Sequence, residues 1–281
     1  MLVEKIDLYG YFNLKKPEGA SGVLTTYVME NHEAVGLNRK HPAMLILPGG
    51  GYRFVSFREE EPLALAYLPY GFNAFVLNYS VMPLGYPTQL LEACMAMIYI
   101  RENAEKYNVD VDHIGAIGFS AGGHLCGCLA VLTETDIVKQ TFGEKYKLAK
   151  PNAVILSYAV LKAGEYAHQG SFDVLANGDK EIEAKISLEK WVTPNSVPAY
   201  IWCTATDTCV PPQNSFIMAG EYLKNGVPFE FHVFENGEHG ISLANDSTAS
   251  KASSHLVNSH IAYWFNQSVE WLISRGFTTK G

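Results

Sequence analysis

The sequence predicts an α/β fold, with a mostly parallel central sheet flanked by helices. Three observations carry this. Six short apolar runs with β-forming character recur along the chain. Most are continuously apolar rather than alternating, as strands buried on both faces must be. Between them lie longer stretches with apolar residues at helical spacing, so strand and helix alternate along the chain.

In chain order the expected strands are 43–47, 74–77, 114–117, 153–156, 200–204 and 230–234. Pro87 suits a first helical turn, and Leu90, Leu91, Cys94, Met97, Ile98 and Ile100 then follow near-helical spacing to about residue 107. Residues 121–132 are small and apolar, which suits a helix buried against the sheet. Two more helices are expected at 213–224, closed by Asn225-Gly226, and at 256–275. The stretch 162–198 breaks the alternation, with Gly170, Gly178, a charged helical patch at 180–190 and Trp191. It reads as a surface excursion or a lid over a site, and its place in the chain favours the lid. No repeat, low-complexity tract or linker divides the 281 residues. One domain over 1–281 is therefore expected, carrying 162–198 as an insertion.

Composition narrows the function classes. At 48% hydrophobic the chain can bury a large core. With 21 Lys and Arg against 29 Asp and Glu the net charge is −8, which argues against a nucleic-acid partner. The five cysteines, Cys94, Cys126, Cys128, Cys203 and Cys209, are odd in number and irregularly spaced. They read as buried free thiols in a reducing compartment, and Cys126-x-Cys128 is too short for the usual metal or redox spacing. Residues 1–10 carry Glu4, Lys5 and Asp7, unlike a signal peptide, and no run approaches the roughly 18 apolar residues of a membrane span. The expectation is a cytoplasmic protein with no membrane partner.

The informative segment is Gly118-Phe119-Ser120-Ala121-Gly122-Gly123, which leaves one expected strand and opens the next expected helix. An alcohol that attacks a carbonyl must be held out of the backbone, near a base and near donors. A sharp strand-to-helix turn does this for Ser120, with Gly118 and Gly122 where any Cβ would crowd it. The helix N-terminus adds partial positive charge for an oxyanion. The bare pattern recurs by chance, and a capping serine between turn glycines would also produce it. Its strand–turn–helix setting is what favours the nucleophile.

Pro48-Gly49-Gly50-Gly51-Tyr52 directly follows the first expected strand. Its glycines let backbone N–H groups face a ligand, so Gly50 and Gly51 are candidates to join the Ala121 N–H in binding an oxyanion. A phosphate cradle is the other use of such a loop, but the Gly-x-x-x-x-Gly-Lys-Ser/Thr pattern is missing. A base and its orienting acid should follow in the order serine, acid, histidine. Asp207 comes just after the strand at 200–204, and His239 just after the strand at 230–234. Both fall at the end of the sheet where catalytic loops of open α/β sheets converge. His239 would accept the Ser120 proton, and Asp207 would hold the imidazole tautomer.

The rivals are weaker. His124 is expected to pack or cap, and His113 precedes a strand at the wrong end of the sheet. His255 and His260 sit five apart on one expected helix, a poor metal spacing, and the role of His168 in the insertion is open. Asp173 and Asp179 are rival acids inside the insertion. Tyr52, Asn78, Tyr79 and Tyr158 follow strand ends and are candidates to line the pocket, where ringed hydroxyls suit a sugar face. Core tyrosines with satisfied hydroxyls are the equal alternative.

The Gly-Gly-Gly-Tyr loop, residues 118–123, Asp207-x-x-Val210-Pro211 and His239-Gly240 together resemble the α/β-hydrolase superfamily over nearly the whole chain. Leu156-Ser157-Tyr158 and Pro211-Pro212-Gln213-Asn214-Ser215 add a likeness to bacterial acetyl xylan esterases and xylooligosaccharide deacetylases, related to hormone-sensitive lipase. In one departure, Pro48 stands where the usual His-Gly-Gly-Gly has histidine, so the loop must be supported differently. The resemblance implies Ser120 as nucleophile, Asp207 as acid, His239 as base, and Gly50, Gly51 and Ala121 as N–H donors. It implies no metal or organic cofactor. The partner would be a small-molecule ester, an acylated carbohydrate foremost, and a homo-oligomer is left open. Competing readings are a lipophilic carboxylesterase or lipase, an amide hydrolase of the kynurenine-formamidase or small-peptidase kind, and a silent binding protein on this fold.

Overall fold

Eight strands form one sheet, two more than the apolar runs announce. The computed structural model describes residues 1–280 apart from the side chain of Val35, so Gly281 of the expected domain lies outside it. The chain opens with β1 (Lys5–Asp7), α1 (Leu8–Phe12) and β2 (Val23–Tyr27). It continues through β3 (His41–Leu47), α2 (Glu61–Tyr67), β4 (Asn73–Asn78), α3 (Thr88–Glu102), β5 (Val109–Phe119) and α4 (Ser120–Val131). Then come α5 (Asp136–Phe142), β6 (Ala153–Ser157), α6 (Gln169–Ala176), α7 (Lys180–Lys185), β7 (Ala199–Thr204), α8 (Gln213–Lys224), β8 (Phe229–Phe234) and α9 (Tyr263–Ser274).

The strand order is β1-β2-β4-β3-β5-β6-β7-β8. β4 through β8 run parallel, whereas β1 and β2 add an antiparallel edge. That edge has no apolar run to betray it. β1 carries Lys5 and Asp7, and β2 alternates around Thr25 and Thr26, as a strand with one half-solvated face does.

The continuous apolar strands are explained by two packed faces. Leu45 and Leu47 of β3 point into one cluster with α3, α4 and α8, among them Met97, Ile98, Leu125, Leu129 and Met218. Met44 and Ile46 point the other way, into a cluster with Leu63 and Tyr67 of α2 and Trp264, Val269 and Leu272 of α9. At roughly 1.5–3 kcal/mol per large apolar side chain, burial on both faces dominates what holds the sheet. No helix among the described residues is long and apolar enough to cross a membrane.

Three boundaries differ from expectation. α3 stops at Glu102, where the Asn103 side chain caps it by donating to Tyr99 O, and Asn108 in a left-handed conformation then turns the chain into β5, which starts earlier than expected at Val109. The last helix starts at Tyr263. Before it, Asn258 Oδ1 accepts the N–H groups of His260 and Ile261 and holds the chain in a turn. His255 lies further back in a 3₁₀ turn (Lys251–Leu256), so the two histidines do not share a helix. Likewise His113 lies within β5 rather than before it, paired with Asp110. Cys94, Cys126, Cys128 and Cys203 are buried free thiols as expected, but Cys209 is exposed, on a loop whose backbone rather than side chain turns inward.

The stretch 162–198 is tied down at several points. Phe172, Leu175, Ile186 and Leu188 are buried. The Leu188 N–H donates to Leu161 O at 2.8 Å, and the Tyr86 N–H to Leu175 O at 2.9 Å.

Candidate active site

The turn from β5 into α4 places Ser120 at the carboxyl end of the sheet's centre. Ser120 has φ of 52°, a left-handed conformation that costs a non-glycine residue on the order of 1–3 kcal/mol. Its glycine neighbours make the turn possible. A Cβ on Gly118 would strike the Gly122 carbonyl, and one on Gly122 would strike the carbonyls of Leu47 and Pro48. Gly122→Ala should therefore cost about 3 kcal/mol or more, read as a lowered urea midpoint at unchanged m-value. A midpoint within a few tenths molar of the parent would contradict this packing.

Asp207 lies on the loop after β7 and His239 on the loop after β8. Asp207 Oδ1 accepts the N–H groups of Cys209 and Val210, both at 2.9 Å, which fixes the carboxylate's second oxygen toward His239. His239 Nδ1 lies 2.7 Å from Asp207 Oδ2, and His239 Nε2 lies 2.8 Å from Ser120 Oγ. A carboxylate can only accept, so Nδ1–H donates to it and neutral Nε2 is left to accept the Ser120 O–H. The side chains are 1% exposed for Asp207 and 18% for His239, so the acid is shielded while the base reaches solvent and substrate. The His239 loop is held to the Asp207 loop by Thr204 Oγ1–H donating to Gly237 O at 2.8 Å and by the Gly237 N–H donating to Thr206 Oγ1 at 2.9 Å.

The glycine loop abuts this turn. Gly50 and Gly51 have φ of 128° and 62°, and a Cβ on Gly50 would strike the Phe54 carbonyl. The Gly50 carbonyl turns inward to accept from Arg53 and Phe54. The N–H groups of Gly50 and Gly51 donate to no acceptor among the described residues. The Ala121 N–H belongs to the first turn of α4, where helix donors have no partner within the helix. Where the resembled family has histidine, Pro48 is held through its carbonyl by the Tyr79 O–H. The Gly49 N–H donates to Glu59 Oε2 at 2.7 Å.

Of the four pocket candidates, none places its side chain on an open wall. Tyr52 and Tyr79 are fully buried beneath the glycine loop, with the Tyr52 hydroxyl on His124 Nδ1 at 2.9 Å. Tyr158 is buried under His239, its ring edge-on at 5.1 Å between centroids. Asn78 is exposed, but its side chain accepts from Ser21 Oγ at the antiparallel edge. The alternative of core tyrosines with satisfied hydroxyls describes all three. His124 packs as expected: burial pushes its pKa down to about 4, and the neutral ring donates from Nε2 to Ile186 O. Of the rival acids, Asp179 caps α7 and Asp173 is exposed on α6 beside Gln169.

Residues 32–222 match the BD-FAE family. The chain belongs to that family. Over 215 residues it is 40% identical to endo-1,4-beta-xylanase B of Butyrivibrio fibrisolvens, covering 74% of this chain and 33% of that protein. It is 26% identical over 211 residues to an acetylxylan esterase of Xylanibacter ruminicola, covering 72% and 41%. The chain thus spans between a third and about two fifths of the length of these curated relatives. The crystal structure of an acetyl ester-xyloside bifunctional hydrolase from Caldicellulosiruptor lactoaceticus superposes with a TM-score of 0.82 at 30% identity, covering 98% of this chain and 97% of that one. Membership in BD-FAE and the eight-stranded sheet make this an α/β-hydrolase fold.

Two features of this BD-FAE site have no role assigned from the sequence. His168, at the start of the insertion, is half-buried beside Gly51, bonded to Ser171 Oγ at 2.8 Å. Its approach to the Gly51 position places it at the rim of the site, and its pKa is lowered by burial first and then by the nearby His239 and Arg53. Glu59 is buried behind the glycine loop. Its signal in the sequence is hidden, because Arg58-Glu59-Glu60-Glu61 reads as a solvated charge run. A cavity of about 920 Å³ lies elsewhere, between residues 130–137 and Trp191, and touches none of Ser120, Asp207 and His239. Chemistry rather than cavity size therefore locates the site.

Proposed function

We propose that this chain hydrolyses short acyl esters, acetyl groups on sugars or oligosaccharides foremost, through an acyl-enzyme on Ser120. The observation that carries the proposal is the unbroken chain from Ser120 Oγ through His239 to Asp207, at 2.8 and 2.7 Å. In the first half-reaction His239 Nε2 takes the Ser120 proton as Oγ attacks the ester carbonyl. The oxygen that becomes negative is met by the N–H groups of Gly50, Gly51 and Ala121, where preorganised donors stabilise charge without rearranging. Asp207 stabilises the imidazolium. The alcohol then leaves with the proton from His239, and acyl-Ser120 remains. Water, deprotonated by the same nitrogen, attacks the acyl group and returns Ser120 with release of the acid.

The sugar preference rests on relatives whose names include an acetylxylan esterase and an acetyl ester-xyloside hydrolase. We further propose that 1–281 acts as one domain, with 162–198 as an insertion packed onto it. The hydrogen bond from His124 to Ile186 O and the burial of Phe172 and Leu188 support this. The buried free thiols support a reducing, cytoplasmic location.

The test is release of acetate from acetylated xylooligosaccharides, run beside p-nitrophenyl acetate, butyrate and octanoate. The acetylated oligosaccharide should be turned over, and kcat/KM on the nitrophenyl series should fall at least about tenfold from acetate to octanoate, since one misfit methylene can cost ~1–3 kcal/mol. A rate that rises with chain length would replace this reading with the lipophilic carboxylesterase.

A further inference from the structure

The mechanism above uses one carboxylate, Asp207, yet a second is built into the foundation of the site. Glu59 is 3% exposed, and its two oxygens serve two different loops. Oε2 accepts the Gly49 N–H at 2.7 Å, one residue before the free N–H groups of Gly50 and Gly51. Oε1 accepts the Tyr158 O–H at 2.6 Å. The Tyr158 oxygen in turn accepts the Ser242 N–H at 3.0 Å, from the loop that carries His239. The Tyr158 ring stands edge-on to the His239 imidazole at 71°. Even the nucleophile is close, since a Cβ on Gly49 would sit 2.8 Å from Glu59 Oε2 and 3.2 Å from the Ser120 Cβ.

The neighbouring residue reinforces the bridge. Arg58 donates to the carbonyls of Gly240 and Thr248, and its own carbonyl accepts from Ser242 Oγ at 2.8 Å. Ser242 and Tyr158 both sit at positive φ, 54° and 36°. Such conformations persist only where the surroundings over-determine them.

We infer that Glu59 is a positioning residue for ester hydrolysis, setting the oxyanion loop through Gly49 and the His239 loop through Tyr158. The inference rests on the acyl-enzyme reading of the site. Its physical logic is that one rigid, planar group with two acceptors fixes the distance between two loops that must both face the same carbonyl. Apolar packing would fill the space at lower cost, because a buried carboxyl is expensive unless each oxygen is bonded. Burial pushes the Glu59 carboxyl up, against the pull of the Tyr158 hydroxyl, the Gly49 N–H and then His239 and Arg58.

The experiment compares Glu59→Gln, Tyr158→Phe and the double variant with the parent on p-nitrophenyl acetate. The inhibition constant of a trifluoromethyl ketone, which forms an oxyanion on Ser120, is measured alongside. A loop displaced by a fraction of an ångström should lower kcat about 10- to 100-fold in Glu59→Gln, with KM within twofold. The ketone should weaken by the same factor as kcat/KM, because both report the oxyanion. The double variant should lose little beyond the worse single variant, since the residues act as one unit. A folded Glu59→Gln with kcat within twofold of the parent overturns the inference. So does a lowered kcat with unchanged ketone affinity, the signature of a merely structural loss. Should Glu59→Gln not fold, Tyr158→Phe is judged by the same two criteria. A parent that leaves p-nitrophenyl acetate intact would instead refute the acyl-enzyme reading itself.

Discussion

Ser120→Ala should abolish ester hydrolysis, with kcat on p-nitrophenyl acetate falling on the order of 10⁶-fold by the precedent of serine proteases. The size follows from what is removed. His239 Nε2 has one reacting partner in the structure, Ser120 Oγ at 2.8 Å, and alanine offers no oxygen to attack or to acylate. The donors at Gly50, Gly51 and Ala121 would remain, so a residual rate above that in water is compatible with the mechanism. The protein should remain folded, because the strained φ of 52° is set by the glycines around it and a methyl occupies less space than the hydroxymethyl. Two measurements check this together: steady-state turnover, and labelling by a serine-directed phosphonate, which should fail in the variant and succeed in the parent. Turnover near the parental rate in folded Ser120→Ala would refute the assignment.

Five of the six parallel strands were legible because they are buried on both faces, so apolar character alone marks them, as in Met44 through Leu47, whereas the edge strand β8 is only partly buried and shows through Phe231 and Phe234. β1 and β2 were not: the edge strand β1 needs only one apolar face and carries Lys5 and Asp7, while β2, paired on both sides, is interrupted by Thr25 and by Thr26, whose buried hydroxyl accepts the Glu4 N–H and donates to Leu2 O. The start of the last helix was obscured for a different reason. Its apolar period continues back to Leu256, while the chain is turned by a single side-chain acceptor, Asn258, which periodicity does not register. Within the site, Ser120, Asp207 and His239 meet as their places after successive strands imply, because strand ends in a parallel sheet share one rim. The tyrosines show the limit. Position after a strand brings Tyr52, Tyr79 and Tyr158 near the rim, but only side-chain direction separates a pocket wall from the layer beneath it. Glu59 shows the converse, a charged residue among charged neighbours whose burial depends on contacts 99 residues away in sequence.

Asp207→Asn carries the second large effect, a fall in kcat of about 10⁴-fold with little loss of stability. An asparagine can keep the Oδ1 position, so the N–H groups of Cys209 and Val210 retain their acceptor. What changes is the atom 2.7 Å from His239 Nδ1, which becomes an N–H₂ donor. Two donors cannot face each other, so the imidazole is driven to the tautomer with its proton on Nε2. That nitrogen then points a hydrogen at Ser120 Oγ and can no longer accept one. The carboxylate that stabilised the imidazolium during attack is lost at the same moment. Because the acid is only 1% exposed, water does not restore the missing charge. The loss of stability should stay below about 2 kcal/mol, the scale of one charge-assisted hydrogen bond. The matched controls are Asp173→Asn and Asp179→Asn, since Asp173 is exposed on α6 and Asp179 caps α7. Both controls should turn over p-nitrophenyl acetate at the parental rate. Activity retained in Asp207→Asn and lost in Asp173→Asn would transfer the acid's role to the insertion and undo the assignment of Asp207.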